Sequence, residues 1–293
     1  MGTIRIGYAC INTTLPSPNR TCRLENATPD RILELARENI SNLERILHWN
    51  EDHQIRLFRI SSEIIPFASH RVNTLAWWEI LGPELRRVGN LVREYGMRVS
   101  MHPGQFTVLN SLKEQVVLNS IAELEYHARL LHALELDDSH KIILHLGGTY
   151  GDKVSSLERL AAHFARLSKS VARRLVWEND ERSYTLADAL MIANQTGSPV
   201  VFDVLHHSWN PSFPGESLRD LVDRAVLTWG AADGPPKLHY SDQWPGRPPG
   251  SHSASVDVKA FLTFYYQVQD LGVDIMLEVK DKEQSVLAVY NRL

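Results

Sequence analysis

Residues 141–207 read KIILHLGGTYGDKVSSLERLAAHFARLSKSVARRLVWENDERSYTLADALMIANQTGSPVVFDVLHH. Three short runs in this stretch are almost unbroken in apolar character: Lys141–Leu146, Leu175–Glu178 and Pro199–Leu205. Alternating runs mark strands with one wet face, whereas continuous Val/Ile/Leu runs suit parallel strands covered on both faces. Between them, Ser155–Arg174 and Leu186–Gln195 carry apolar residues three and four apart, the spacing of an amphipathic helix. The stretch therefore predicts strand, helix, strand, helix, strand, the repeating unit of a parallel α/β sheet. Each strand also delivers a polar residue near its C-terminal end: His145, Glu178, and Asp203 with His206 and His207 following.

The alternation continues in both directions. Further strands are predicted over Thr3–Ile11, Ile55–Ser61, Arg98–His102, Pro236–Ser241 and Val273–Val279. Helices are predicted over Asp30–Trp49, Thr74–Tyr95, Gln115–Leu136, Glu216–Trp229 and Val256–Leu271, with Glu283–Leu293 closing the chain. In the first helix Ile32, Leu35, Ala36, Ile40, Leu43, Ile46 and Leu47 form one stripe. Strand–helix units in this number predict an α/β protein with a single (β/α)8 TIM barrel, one domain over residues 1–293. An open doubly wound sheet would want a glycine-rich turn after the first strand, and that turn reads Cys10-Ile11-Asn12-Thr13-Thr14. The segment WPGRPPG at 244–250 falls between the seventh strand and the next helix, so it reads as a loop over the barrel mouth.

Composition narrows the class. The chain has 293 residues, 43% hydrophobic and 23% charged, which excludes disordered and collagen-like architectures. With 31 Lys and Arg against 35 Asp and Glu the net charge is −4, so this is no histone-like basic binder. Cys10 and Cys22 are the only cysteines, which excludes a disulfide framework and fits a reducing compartment. The opening MGTIRIGYACI has no secretion signal, and Ile6 stands where a myristoylation signal wants Ser or Thr. No apolar run is long enough to span a membrane. A cytoplasmic protein without membrane attachment is expected, nucleoid-associated in a prokaryote. The anomaly is histidine, of which there are 13.

In a barrel of this kind chemistry belongs at the C-terminal ends of the strands. There the sequence places His102, His145, Glu178, Asp203, His206, His239 and Glu278, with His70 and His252 in the loops after the second and seventh strands. Neighbouring strands lie about 4.8 Å apart, so these groups crowd into one mouth. Carboxylates brought together in a pocket repel one another and lose solvation unless a cation joins them. Imidazole and carboxylate without thiolate suit zinc or manganese. His102, His145, Glu178, Asp203, His206, His239, His252 and Glu278 can saturate two or three ions with room left for water. Several ions at bridging distance imply hydrolytic phosphoryl chemistry, in which one generates hydroxide and another stabilises the leaving oxygen. Alternation puts Lys237 on the face of His239, so Lys237 is expected to be neutral, or carboxylated to an anionic ligand. His48, His53, His127, His132, His140 and His163 fall on helices or their ends and read as surface or packing residues. Asp203 and His206 are three apart and share a face only if the strand bends after Asp203.

Taken together, IGYACIN, RISSEIIPFASH, SMHPGQF, LHLGG, VWEND, VFDVLHH, KLHYSD with SHS, and LEVKDKE make a set spread over essentially the whole chain. In these motifs the chain resembles the UV damage endonuclease family, related to the endonuclease IV group of metal-dependent barrels. The resemblance implies a DNA repair hydrolase that nicks duplex DNA immediately 5′ to a cyclobutane pyrimidine dimer or 6-4 photoproduct, leaving a 3′-hydroxyl and a 5′-phosphate. It implies two to three divalent ions, manganese foremost and zinc or magnesium as alternatives. Their ligands would be His70, His102, His145, Glu178, Asp203, His206, His239, His252 and Glu278, with Lys237 at the lysine position associated with the metal site. Glu178, Lys237 and Glu278 are the expected catalytic groups. Gln105 and Phe106 resemble the wedge pair that fills the gap left by an extruded lesion; some members carry Tyr where this chain has Phe106. Tyr8 and Asn12 are placed to contact the lesion, and Arg20, Arg23, Arg71, Lys153, Arg182 and Arg247 to contact phosphates. The expected partner is damaged double-stranded DNA, bound by a monomer. The alternatives are an abasic-site endonuclease of the endonuclease IV type, a metal-dependent sugar isomerase or epimerase, and a catalytically inert binding barrel.

Overall fold

The computed structural model describes residues 4–293; the Met1-Gly2 opening, and Thr3 at the start of the first expected strand, lie outside the described residues. Eight parallel strands, β1 (Ile6–Ala9), β2 (Leu57–Arg59), β3 (Arg98–Ser100), β4 (Ile142–His145), β5 (Leu175–Glu178), β6 (Val200–Asp203), β7 (Lys237–Tyr240) and β8 (Asp274–Leu277), run in the order β3-β2-β1-β8-β7-β6-β5-β4. The two ends of that order meet. Met101, one residue past β3, donates its N–H to Lys141 and accepts from Ile143, both at 2.9 Å, and bridges Ile142 in parallel. The sheet closes into the (β/α)8 barrel that the sequence predicts, with β5 on its predicted bounds and the other strands trimmed at their ends.

The helices are α1 (Pro29–Asp52), α2 (Trp77–Ile80), α3 (Gly82–Glu94), α4 (Glu114–Ala133), α5 (Lys153–Phe164), α6 (Lys169–Arg174), α7 (Leu186–Thr196), α8 (Val204–Trp209), α9 (Leu218–Val226), α10 (Val258–Val268) and α11 (Glu283–Tyr290). The helix expected over Thr74–Tyr95 is two, broken at Leu81 ahead of Gly82-Pro83. Pro83 has no N–H to give and its ring would press on the carbonyl four residues back, so it serves as an N-terminal residue of α3. The helix expected over Ser155–Arg174 is also two, because Ser168 stops the chain and caps α6 by accepting from the Val171 N–H at 3.3 Å. Helix α8 has no counterpart among the expected elements. No helix among the described residues is long and apolar enough to cross a membrane.

Strand alternation divides the apolar residues between an outer shell and the barrel interior. Phe58, Trp177 and Phe202 join the large cluster under the helices, while Ala9, Leu57 and Met276, and separately Ile143, Val176 and Val201, fill the inside. Gly7 has to be glycine, because a Cβ there would overlap the Leu57 carbonyl oxygen of the neighbouring strand. The N-terminal end of the barrel is sealed by buried, paired charges. Arg98 reaches Asp274 at 2.8 Å, and Lys141 bonds Asp233 and the Arg173 carbonyl. Charges in such a place persist only when paired, so this end is spent on structure and the opposite end is left for chemistry.

Candidate active site at the C-terminal mouth

Register brings the predicted residues level with one another. His145 of β4 pairs with Glu178 of β5, and Asp203 of β6 with His239 of β7. Glu278 follows β8 directly and stays in line because its N–H donates to the Tyr240 carbonyl at 2.8 Å. All point inward by the two-residue period. Three groups of ligand-type atoms result, each within 4.8 Å: His102, His145 and Glu178; Asp203, His206 and His252; Glu178, Asp203 and His239.

Glu178 is the hub. Its Oε2 lies 2.9 Å from His102 Nε2 and 3.4 Å from His145 Nε2, and its Oε1 accepts from His239 Nδ1. Glu278 extends the cluster, 3.3 Å from His239 Nδ1 and 3.5 Å from His252 Nε2. Burial alone would raise Glu178, but His239 and His145 hold it well below the usual carboxylate range. Burial likewise opposes ionisation of Glu278, and Arg59 and His239 hold it down. Asp203 moves the other way: burial raises it against the opposing charge of His206, and Glu178 and Glu278 add to the rise. His206 is pushed up to about 9, burial being outweighed by Asp203 and the two glutamates.

The bend required between Asp203 and His206 exists. β6 ends at Asp203 and α8 begins at the next residue, with Asp203 as its N-cap accepting the His206 N–H at 2.7 Å. Asn179, absent from the predicted site, fixes this corner. Its amide exchanges two hydrogen bonds with the Asp203 backbone, at 2.9 and 3.0 Å, and its carbonyl faces His206 Nδ1 at 3.0 Å. The signal for it is the Asn of VWEND, directly after a predicted ligand.

The donor set fits divalent cations. His102 Nδ1 faces the Pro103 carbonyl at 3.0 Å, and His206 Nδ1 faces that of Asn179. Carbonyls only accept, so each Nδ1 carries a proton and each Nε2 is turned inward, where a cation would take the place of any proton it holds. At His102 Nε2 faces a Glu178 oxygen at 2.9 Å, an arrangement that a shared proton or a metal cation satisfies. Asp203 Oδ2 is buried without a hydrogen-bond partner, as is Lys237 Nζ. Lys237 is fully buried, and burial together with the Arg98 charge holds its ammonium well below the usual range.

Three predicted site residues stand differently. Tyr8 and Asn12 are buried: Tyr8 OH donates to Asn50 Oδ1 at 2.6 Å and accepts from Asn12 Nδ2 at 3.1 Å. With Gly7 and Ala9 facing inward, Tyr8 faces α1, so neither residue is placed to touch DNA. His70 is exposed on the loop after β2, outside the three groups, and its Nδ1 accepts the Val72 N–H at 3.1 Å. In that tautomer Nε2 carries the proton and offers no lone pair. The helix-borne histidines are surface or packing groups: His48 and His132 are exposed, and His127 is fully buried between the Glu123 carbonyl and Ser62 Oγ.

The rim carries the DNA-type residues. Gln105 and Phe106 project from the turn after β3, Phe106 with 68% of its surface exposed. A cavity of about 430 Å³ opens beside them, lined by His102, Gln105, His145 and Tyr150 among others. Arg71, Arg182 and Arg247 are exposed, Arg247 lying 5.3 Å over the Trp244 ring. Arg20, Arg23 and Lys153 are engaged by Glu38, Glu25 and Asp188.

Fold and mouth together define an enzyme of the barrel class that gathers imidazoles and carboxylates at the C-terminal ends of its strands. The family model for UV-endonuclease UvdE matches residues 4–293. The chain belongs to that family and is an endonuclease of UV-damage repair. It is 41% identical over 292 residues to a UV DNA damage endonuclease of Clostridium perfringens, covering 99% of this chain and 71% of the relative. A Bacillus cereus UV DNA damage endonuclease is 33% identical over 266 residues, 90% of this chain and 83% of that one. The crystal structure of SacUVDE superposes with a TM-score of 0.93 at 40% identity, covering 99% of this chain and 98% of that one. Endonuclease IV from Thermus thermophilus, at 14% identity and a TM-score of 0.60 over 98% of each chain, shares the fold.

Proposed function

We propose that this enzyme nicks double-stranded DNA immediately 5′ to UV photolesions, cyclobutane pyrimidine dimers and 6-4 photoproducts, leaving a 3′-hydroxyl and a 5′-phosphate. The observation that carries the reading is the sharing of one buried carboxylate, Glu178, among imidazoles from three other strands. Two to three divalent ions, manganese foremost, are the partners that such a cluster suits, held by His102, His145, Glu178, Asp203, His206, His239, His252 and Glu278. His70 joins them once its ring gives up the Val72 amide. When bound, the ions supply an activated water and stabilise the leaving oxygen.

The chain's own groups do the rest. Glu178 and Glu278 supply the charge that holds the ions. Lys237, a neutral buried amine, is carboxylated to an anionic side chain; an intact mass of the never-acidified protein without a carboxyl increment would remove that role. Phe106 and Gln105 enter the duplex where the damaged dinucleotide leaves the stack, Phe106 stacking and Gln105 offering its amide to the orphaned bases. Arg71 and Arg247 contact phosphates. The 293 residues act as one nuclease domain and as a monomer, in the cytoplasm on the nucleoid.

An incision assay tests the whole. A duplex with one cyclobutane dimer and a matched duplex with one abasic site are each incubated with EDTA and with manganese. A manganese-dependent nick directly 5′ to the dimer is expected. Cutting of the abasic duplex alone would move the enzyme to an endonuclease IV-type specificity, and cutting of neither by metal-loaded protein would remove the nuclease reading.

A further inference from the structure

Arg59 ends β2 inside the mouth, buried, although on charge alone a cation is out of place among residues that would bind divalent ions. Its Nη2 donates to Glu278 and, at 2.8 Å, to His239 Nε2. A guanidinium can only donate, so His239 Nε2 is the acceptor and its proton sits on Nδ1, which donates to Glu178. The tautomer is that of His102 and His206, but in His239 the protonated Nδ1 faces the carboxylate cluster and the Nε2 lone pair is taken by Arg59. A neutral imidazole cannot give the Nδ1 lone pair to a cation while Nε2 accepts from Arg59, for it would then carry no proton. Nor can a cation take Nε2 where the guanidinium already lies.

We propose that Arg59 is a stand-in cation for the metal-free mouth: it neutralises Glu278 and occupies His239 until a divalent ion binds, and it must leave His239 when one does. This rests on the metal-dependent reading above. Arg59 is a positioning residue here, and contact with Arg59 and binding of the ion at His239 exclude one another. Removing the guanidinium therefore has opposite effects on the two states. The metal-free fold loses the partner of a buried carboxylate, while the ion loses a competitor.

The test compares wild type, Arg59→Lys, Arg59→Gln and Arg59→Gln with Glu278→Gln, by thermal unfolding in EDTA and in saturating manganese and by calorimetric manganese titration. For Arg59→Gln the metal-free Tm should fall by about 5 °C or more, the manganese-loaded Tm should fall less, and manganese should bind about 5- to 150-fold tighter. Arg59→Lys should restore much of the metal-free Tm. Equal falls with and without manganese, or weaker manganese binding, would overturn the proposal, since a merely structural arginine gives that result. If Arg59→Gln does not fold at all, the double variant decides. Recovery of the metal-free fold supports the stand-in role, and failure to recover overturns it. A wild type whose Tm does not respond to manganese would instead remove the metal reading on which the proposal stands.

Discussion

Asp203 and His206 are joined twice: Asp203 Oδ1 caps α8 by accepting the His206 N–H at 2.7 Å, and Oδ2 lies 3.6 Å from His206 Nδ1 with no hydrogen bond of its own. One carboxylate oxygen is therefore structural and the other is left for the site. Asp203→Asn keeps the cap oxygen and removes the charge, whereas Asp203→Ala removes both. Because burial and two glutamates outweigh the His206 charge in opposing ionisation of Asp203, the Asn variant should match or exceed wild type in metal-free Tm. The Ala variant should lose about 1 kcal/mol for the cap. Both should lose manganese affinity by at least about 10- to 100-fold in a calorimetric titration. An Asn variant that unfolds well below wild type in EDTA would show that the charge is used within the protein itself.

Glu178→Gln tests the hub. The side chain is buried among His102, His145 and His239, and none of the apolar core touches its role. The variant should stay folded by circular dichroism but lose incision of a dimer-containing duplex in manganese. Incision near the wild-type rate would show that the shared carboxylate is not what holds the ions.

Phe106 is the exposed ring beside the mouth, and the Gly104 that precedes it is part of its seat: a Cβ there would meet the ring at 2.5 Å. Phe106→Ala should leave Tm unchanged and weaken binding to dimer-containing DNA by about 1–3 kcal/mol, the worth of one base–aromatic stack. Affinity for undamaged duplex should move much less. Equal affinities for damaged DNA in the two proteins would remove Phe106 from the wedge.

How far these features are legible in the sequence depends on the residue. Glu178 and His145 can be placed because strand runs end on them, and parallel register then sets them side by side. Asp203 and His206 can be named but not arranged, since α8 is only six residues, VLHHSW, and Val and Leu there continue the strand pattern. Tyr8 belongs outside the mouth, and the information is present in the sequence: the small residues Gly7 and Ala9 face inward, so the large residue between them faces out. Arg59 escapes a sequence reading because a lone arginine in a strand reads as a surface group. Its burial follows from Glu278 and His239, which are distant in sequence. Local pattern yields which residues reach the mouth, and the tautomer and pairing of each depend on contacts that only closure of the barrel creates.

His140 adds an acid-sensitive contact to the fold outside the ligand cluster of the mouth. It is buried before β4, and its Nδ1 lies 3.1 Å from the Val99 nitrogen of β3 and 3.3 Å from the Val99 carbonyl; accepting the Val99 N–H requires the neutral form. Burial, with the Arg98 charge nearby, pushes it down to about 4 against the opposing charge of Asp137 and the Val99 carbonyl. The unfolded chain titrates near about 6.5. A depressed folded value means that the contribution is complete above about 6.5 and is lost as pH falls toward about 4, amounting to about 3 kcal/mol. His140→Asn keeps an acceptor for Val99 without the titration. In EDTA, denaturant unfolding at pH 7 and pH 4 should show wild type losing more stability than the variant over this interval. The carboxylates of the mouth titrate alike in both proteins and cancel in the comparison. Val99 lies three residues before His102, so acid opening at His140 releases the strand that carries the first ligand of the mouth. Parallel losses in the two proteins would show that His140 bears its proton without breaking from Val99.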